Sequence, residues 1–387
     1  MKMQLPNYKD GSIVNLMSSI KKGLGGKHSY GELKLLKSKE LKNTKNIVLI
    51  VIDGLGYNFL KETMRGTVFE KNLKGSITSV FPPTTGAAIP TFATGLPPQQ
   101  TALAGWHVFL KEIGILANTL PFNPRIGGLP FTTGKIKIKD IYNIKGFTHD
   151  MKIKSYIIKP QYIINSDFTK LTQGQSKLIG CKTLTGFFNQ ITKTIKKTDE
   201  KKYIYAYWDV FDMIAHEKGI KSKEIQQYFK EICNEIEKFL KKIQNTNTKI
   251  IITSDHGFIN STKKELLKLE KHPKLQEWLT MPLTGDSRVA YCYVKANKTK
   301  QFEEYIKTKL NKYCEAYKSK DLIKKQFFGL GAPNPKLLDR IGDYTIIMKE
   351  NYTIKDDVVG KKSKYYLGRH SGVSKDEMLV PLIVFDD

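Results

Sequence analysis

Arginine is scarce in this chain. Only five of the 64 basic residues are arginine, and the others are lysine. Proteins that read nucleic-acid bases and phosphates rely on the planar arginine fork, which binds two acceptors at once. The formal net charge of +27 therefore does not indicate a nucleic-acid-binding protein. Solvated lysine-rich surfaces and attraction of small anions are the two interpretations of this charge.

Cysteine and long apolar runs are also lacking. The four cysteines form no CxxC motif and no regular framework, so neither a disulfide scaffold nor a cysteine metal site is indicated. No stretch approaches the roughly 20 apolar residues of a membrane helix. Residues 1–26 contain no apolar run of signal-peptide length. We therefore expect a cytoplasmic protein with no membrane partner.

Strand-like and helix-like patterns alternate along the chain. Apolar runs predict strands at 46–52, 75–80, 203–208, 249–253 and 377–385. Apolar residues at helical spacing predict helices at 5–24, 57–61, 85–94, 183–195 and 221–243. Residues 105–170 predict loops and short strands. This alternation predicts an α/β protein, a three-layer α/β/α sandwich around a large, mostly parallel sheet.

Side chains with metal-binding chemistry follow several predicted strands or lie in a glycine-bounded turn. They are Asp53, Asp212, His216, Asp255, His256 and His370. The four-residue spacing of Asp212 and His216 places both on one face of a helical turn. Carboxylates and imidazoles bind divalent metal ions, and the carboxyl ends of parallel strands meet at one edge of a sheet. The sequence therefore predicts a metal site at that edge.

Two threonines, Thr84 and Thr85, follow two prolines and precede the helix predicted at 85–94. A hydroxyl at a helix N-terminus lies at the positive end of the helix dipole, which favours an alkoxide and an anionic phosphate. Capping of the helix is the alternative role of either threonine. The residues alone leave open which threonine caps the helix and which acts as a nucleophile.

Five motifs together resemble the type I phosphodiesterase and nucleotide pyrophosphatase family, within the alkaline phosphatase superfamily. They lie at 50–54, 81–85, 212–216, 254–257 and 368–372. The resemblance extends from about residue 46 to the C-terminus. In this family the nucleophilic threonine stands ten residues before the glycine of a Thr-Gly pair. Thr94-Gly95 is that pair here, so the resemblance selects Thr85.

The resemblance implies a metal-dependent hydrolase of phosphate esters with two divalent ions, usually zinc. One ion would be held by Asp53, Thr85, Asp255 and His256, and the other by Asp212, His216 and His370. A phosphodiesterase or nucleotide pyrophosphatase is the first hypothesis, with a small anionic phosphate ester such as a nucleotide as substrate. The first alternative is a phosphomonoesterase or phosphonate hydrolase on the same scaffold. The second is a basic nucleic-acid-binding protein without activity.

Two further expectations accompany the resemblance. The nucleotide pyrophosphatases carry an asparagine three residues after the nucleophile, and its side chain binds a phosphoryl oxygen. This chain has Ala88 at that position, so we expect another donor, such as a backbone N–H at the helix start, to bind the oxygen. A small α+β unit is predicted at 285–362, with strands at 288–294 and 344–348 and a helix at 301–313. Because this unit interrupts the ligands between His256 and His370, we expect it to act as a lid within one catalytic domain spanning residues 1–387.

Overall fold

The computed structural model describes residues 3–356 and 365–386. Its strands, in chain order, are β1 (Asn46–Ile52), β2 (Leu73–Thr78), β3 (His107–Leu110), β4 (Ile115–Asn118), β5 (Asn123–Pro124), β6 (Lys154–Pro160), β7 (Lys177–Cys181), β8 (Lys202–Trp208), β9 (Thr248–Thr253), β10 (Ile259–Asn260), β11 (Leu266–Lys268), β12 (Thr284–Gly285), β13 (Val289–Cys292), β14 (Cys314–Lys318), β15 (Tyr344–Met348), β16 (Thr353–Lys355), β17 (Gly368–Arg369) and β18 (Leu379–Asp386).

The α-helices, in the same order, are α1 (Ile13–Gly23), α2 (Tyr57–Thr63), α3 (Thr85–Thr94), α4 (Pro98–Thr101), α5 (Ile138–Ile141), α6 (Asp167–Thr172), α7 (Leu184–Ile195), α8 (Val210–Lys218), α9 (Lys223–Lys242), α10 (Pro273–Trp278), α11 (Thr299–Tyr305), α12 (Ser319–Lys324), α13 (Leu337–Ile341) and α14 (Lys375–Met378). Within the described parts of the chain, none of them combines the length and the apolar character that a membrane crossing requires.

A seven-stranded sheet with the order β2–β18–β9–β1–β8–β6–β7 forms the centre of the molecule. Its central strand β1 is aliphatic and buried along its whole length, and it pairs in parallel with β8 and β9. Of these seven strands, only β18 runs antiparallel to its neighbours. The predicted large, mostly parallel sheet is therefore confirmed.

Side chains of β1 point alternately into two hydrophobic cores. Leu49 and Val51 pack in the core that also contains residues of α1 and α3. Ile50 and Ile52 pack in the core that contains residues of α7 and α9. Helices therefore cover both faces of the sheet, which gives the predicted three layers.

A second sheet has the order β14–β15–β13–β12–β3–β4–β5, with antiparallel pairing throughout. Strands β12 to β15 come from the unit predicted at 285–362, but β3 to β5 come from residues 107–124. The unit therefore shares its sheet with an earlier part of the chain. Residues 357–362 lie outside the described residues, and the lid role stays a prediction.

Several element boundaries differ from the sequence-based expectations. The first helix begins at Ile13 rather than at residue 5, because Asn15 Oδ1 accepts a hydrogen bond from the N–H of Ser12, 3.0 Å away, and fixes the helix start there. The helix predicted at 301–313 ends as α11 at Tyr305 and continues as a π-helical turn to Leu310. Strand β6 lies within 105–170, where short strands were expected without positions, and Lys154 and Lys159 leave only a short apolar run in it.

Candidate metal centre and nucleophile

The candidate ligands meet at the carboxyl edge of the main sheet. Asp53 directly follows β1, and Asp255 follows the neighbouring strand β9. Helix α8 begins just after β8 and carries Asp212 in its first turn. Because β8, β1 and β9 are adjacent and parallel, their C-terminal residues converge at one edge. The sequence-based prediction of a shared edge agrees with this arrangement.

Asp53, Asp255 and His256 form the group that we call the inner cluster. Each offers a ligand atom within 4.8 Å of the others. His256 Nε2 lies 3.3 Å from Asp53 Oδ1 and 3.3 Å from Asp255 Oδ2. All three side chains are almost completely buried.

Asp212, His216 and His370 form the outer cluster, again with ligand atoms within 4.8 Å of one another. His216 Nε2 lies 3.5 Å from Asp212 Oδ1, one helical turn away. His370 comes from the loop after β17, and its Nε2 lies 3.2 Å from His216 Nε2. The two clusters adjoin each other, since His256 and His370 stack with ring centroids 3.7 Å apart.

Backbone carbonyls orient all three histidines in the same way. His216 Nδ1 lies 3.0 Å from the carbonyl of Gly368, His256 Nδ1 lies 3.2 Å from that of Gly257, and the corresponding contact of His370 is to Pro83, at 3.3 Å. A carbonyl can only accept, so each Nδ1 carries the proton. Each Nε2 lone pair is therefore directed at the cluster, which is the tautomer that a metal ligand needs.

Three carboxylate oxygens in the clusters lack a hydrogen-bond donor. Within the described residues, Asp53 Oδ1, Asp212 Oδ1 and Asp255 Oδ2 are buried and unpaired. Buried polar atoms are ordinarily satisfied, and an unpaired carboxylate is especially costly. Together with the three imidazole lone pairs directed at the clusters, these oxygens fit divalent cations as the missing partners.

Electrostatics in the clusters point the same way. Burial and the nearby carboxylates Asp255 and Asp212 raise the pKa of Asp53 well above its usual range. Burial lowers the pKa of His216 to about 3, and burial together with the two neighbouring imidazoles lowers that of His370. The surroundings therefore disfavour both crowded anions and imidazolium, whereas a divalent cation would offset the repulsion among the carboxylates.

The two threonines have different partners. Thr85 is the first residue of α3, and its Oγ1 lies 3.2 Å from His256 Nε2, at the inner cluster. Thr84 is the N-cap residue, and its Oγ1 instead donates to Asp286 Oδ1 at 3.2 Å. The hydroxyl of Thr85, and not that of Thr84, therefore faces the candidate ligands.

Contacts that support the ligands were not found from the sequence. Tyr207, on β8, donates a hydrogen bond from its hydroxyl to Asp53 Oδ2. The backbone N–H groups of Gly54 and His256 donate to Asp255 Oδ1 at 3.0 and 2.9 Å. Asp286 accepts from Thr84. The aromatic strand 203–208 was the only sequence signal for Tyr207, because strand periodicity does not show which tyrosine reaches a carboxylate.

Ala88 is completely buried in the core between α3 and the sheet. A backbone donor for the phosphoryl oxygen, expected because Ala88 has no amide group, stays a prediction. Three of the histidines that lie outside both clusters differ in burial. His28 is half-buried, with Nε2 2.9 Å from the carbonyl of Gly95. His149 is exposed, and His107 is half-buried in β3.

Known structures share this fold. Murine ectonucleotide pyrophosphatase / phosphodiesterase 5 superposes with a TM-score of 0.67 at 16% identity, over 87% of each chain. The human protein of the same name gives 0.66 at 16% identity, also over 87% of each chain. Phosphonoacetate hydrolase from Sinorhizobium meliloti gives 0.62 at 14% identity, over 88% of this chain and 90% of that one.

Sequence comparison gives a more specific result. No curated protein matches the chain in sequence. The family model described as type I phosphodiesterase / nucleotide pyrophosphatase, however, matches residues 47–373. This range includes both clusters and both threonines, and it indicates a phosphoester hydrolase. The chain thus belongs to the type I phosphodiesterase / nucleotide pyrophosphatase family.

Proposed function

We propose that the protein is a two-metal phosphodiesterase or nucleotide pyrophosphatase with Thr85 as its nucleophile. The observation that carries this proposal is the pair of adjoining Asp/His clusters, with the Thr85 hydroxyl 3.2 Å from His256 Nε2. Asp53, Asp255, His256 and Thr85 would hold one ion, and Asp212, His216 and His370 the other. Zinc suits this ligand set, which is rich in imidazole.

The two ions would supply charge stabilisation for the attacking and leaving oxygens of an in-line displacement. Thr85 Oγ1 forms a bond to phosphorus as the bond to the leaving-group oxygen breaks, and the leaving group departs as an alcohol or a phosphate. Water then cleaves the phosphothreonine and restores the hydroxyl. Two steps of moderate barrier thus replace one difficult step.

The start of α3 offers a site for a phosphoryl oxygen. No hydrogen bond among the described residues occupies the N–H of Thr85 or of Gly86, whereas the next two N–H groups bond to Thr84. These two N–H groups lie at the positive end of the helix. A side chain at Gly86 would collide with Gly105, since a Cβ there would lie 2.4 Å from its carbonyl oxygen. Glycine at position 86 therefore lets the start of α3 pack against the backbone of Gly105.

The substrate we propose is a small anionic phosphate ester, of which a nucleotide is one example. In the murine relative, an inactive variant in which a threonine is replaced by alanine was solved with AMP. The inactivity of that variant supports a threonine nucleophile for this chain, and its bound AMP supports a nucleotide substrate. A cytoplasmic location is proposed on the four cysteines, which are free and buried.

Phosphonate hydrolysis is the second candidate, because the phosphonoacetate hydrolase structure covers nearly all of this chain. A panel of chromogenic phosphodiester, phosphomonoester and phosphonate substrates, assayed with zinc, separates the two. Fastest turnover of the phosphodiester supports the first proposal, and fastest turnover of the phosphonate supports the second. A protein that binds nucleic acid without hydrolysing any of these substrates, and without stoichiometric metal, would contradict both.

A further inference from the structure

The turn between β12 and β13 contacts both halves of the candidate site. It carries Asp286 and Arg288, two residues apart, and it belongs to the second sheet. Neither side chain is a candidate metal ligand. Each is nevertheless hydrogen-bonded to segments that carry Thr85 or the histidine ligands.

Asp286 is bonded to the segment that presents Thr85. Its Oδ1 accepts from Thr84 Oγ1 at 3.2 Å, and its Oδ2 accepts from the N–H of Trp106 at 3.1 Å. The two backbones also touch, because a Cβ on Gly105 would lie 2.8 Å from the Cα of Gly285. Asp286 therefore fixes the residue immediately before Thr85 against the second sheet.

Arg288 is linked through Glu377 to the segments that present His370 and His256. Its Nε and Nη2 donate to the two carboxylate oxygens of Glu377 at 2.6 and 2.9 Å, and both side chains are completely buried. Glu377 Oε1 also accepts from the N–H of Gly372, two residues after His370, at 2.7 Å. The carbonyl of Glu377 accepts from the N–H of Gly257, next to His256, at 2.9 Å.

The loop after His370 depends on this ion pair. Ser371 has a φ of 90°, a conformation that a side-chain-bearing residue keeps only when its surroundings impose it. A Cβ on Gly372 would lie 2.7 Å from Arg288 Nε and from Glu377 Oε2. The backbone of the loop therefore packs directly on the guanidinium–carboxylate pair, with no room for a side chain at position 372.

We propose that Asp286 and Arg288 are positioning residues: Asp286 sets the orientation of Thr85, and Arg288, acting through Glu377, sets His370 and His256. We call residues 285–288 the clamp. The proposal deepens the proposed function and rests on it. It also gives the unit at 285–362 a role beyond that of a lid. Removal of a lid leaves the metal content of a protein unchanged, whereas loss of the clamp is expected to lower it.

The positioning role of Asp286 is tested by comparing Asp286→Ala with Asp286→Asn in the zinc-loaded full-length protein. Asp286→Ala is expected to lower kcat about 100-fold through misplacement of the nucleophile, with KM and bound zinc changed less than about twofold. Asp286→Asn keeps acceptor and donor groups for Trp106 and Thr84, so it is expected to recover most of the loss. An unchanged kcat in Asp286→Ala, or an equal decrease of kcat in both variants, would show that Asp286 does not position Thr85.

The positioning role of Arg288 is tested by zinc titration of Arg288→Lys. A lysine ammonium cannot reproduce the two parallel hydrogen bonds that the guanidinium donates to the Glu377 carboxylate. The matched control is Arg125→Lys, because Arg125 forms a buried ion pair with Asp356 at 2.7 Å and otherwise donates to the carbonyl of Leu283, so its hydrogen bonds do not involve Glu377 or a candidate ligand. Because His256 and His370 belong to different clusters, Arg288→Lys is expected to weaken binding of both zinc ions, by about 10- to 100-fold, as for other residues that orient metal ligands. The control is expected to bind two ions as the wild type does.

The outcomes separate the two proposals. A wild-type protein without stoichiometric metal contradicts the proposed function. A wild-type protein with two ions, together with Arg288→Lys that binds them as tightly as Arg125→Lys does, contradicts the clamp alone. If Arg288→Lys does not fold by circular dichroism, Glu377→Gln takes its place, because it keeps one acceptor oxygen for the N–H of Gly372 and replaces the oxygen that accepts from Arg288 Nη2 with an NH2 group. Unaltered zinc affinity in a folded Glu377→Gln variant would show that Arg288 and Glu377 do not position the histidines.

Discussion

The inner and outer clusters use the same residue types but are built differently. The inner cluster lies at the ends of two adjacent parallel strands, and its side chains are 0–2% exposed. The outer cluster lies on α8 and on the loop after β17, and Asp212 and His216 are 15% and 24% exposed. Hydrogen bonds from Tyr207 and from backbone N–H groups fix the inner carboxylates. Rigid strands thus define one half of the site, whereas a helix and a loop define the other.

This difference suggests a division of roles. A cluster that is enclosed and held by strand ends should retain its ion, while a more open cluster should exchange its ion more readily. Thr85 lies against the inner cluster, so the proposed nucleophile belongs to the more rigid half. Placing a reacting atom on rigid elements preserves the geometry on which proximity effects depend.

Removal of the nucleophile should have the largest effect. Thr85→Ala is expected to lower kcat by about 10³-fold or more, because the covalent step loses its attacking atom. The fold should survive, as judged by circular dichroism. Thr84→Ala should cost far less, because Thr84 contacts Asp286 and not the ligands. A larger loss in Thr84→Ala than in Thr85→Ala would show that the assignment is wrong by one residue.

Removal of one ligand from each cluster should also reduce activity strongly, but with different metal losses. Asp255→Ala is expected to lose the inner ion and His216→Ala the outer one, each with at least about a 100-fold decrease in kcat/KM. Metal content is measured by mass spectrometry on gel-filtered protein. Two ions per chain in either variant would refute the ligand assignment of that cluster.

Chelation should distinguish the clusters kinetically. Since the outer ligands are partly exposed and the inner ones are not, a chelator is expected to remove the two ions in separate phases, the outer ion first. Zinc release is followed with a metal-sensitive dye in wild type and in His216→Ala. The fast phase should be missing from the variant. A single phase in wild type would contradict the difference in access.

The hydrogen bond from Tyr207 to Asp53 sharpens the comparison further. Tyr207→Phe is expected to weaken binding of the inner ion by about 10- to 100-fold, with the outer ion unaffected. Tyr205→Phe is the matched control, because Tyr205 is buried on the same strand and its hydroxyl makes no hydrogen bond within the described residues. Equal zinc affinities in the two variants would show that Tyr207 does not support the cluster.

The smallest effect is expected at a histidine outside both clusters. Burial lowers the pKa of His28 from 6.5 to about 4. Between these values the unfolded chain binds more protons than the folded one, so stability falls as pH falls, by at most about 1.4 kcal/mol per pH unit from this group. Urea unfolding of His28→Gln should show a shallower loss from pH 6.5 to 4, with unchanged zinc content. Identical slopes would place the pKa of His28 near its ordinary value.

Local patterns predicted the parts of the structure that depend on local physics. The uninterrupted apolar run of β1 predicted a central strand, and the four-residue spacing of Asp212 and His216 predicted a shared helical face. The second sheet was only partly predicted, because β12 pairs with β3 across more than 170 residues of chain. Its strands are short, and no local signal shows which distant strand each one meets.

Apolar periodicity was enough to predict the main sheet, and ligand chemistry was enough to predict a metal site at its edge. The grouping of the candidate ligands into two sets and the selection of Thr85 over Thr84 came from the family resemblance, and both stay predictions. Only the three-dimensional structure shows that Tyr207 donates to Asp53, that Ala88 faces the core, that Asp286 accepts from Thr84 and that Arg288 pairs with Glu377. The physical reason is that a hydrogen bond depends on distance and direction between side chains far apart in sequence, which composition and periodicity do not encode.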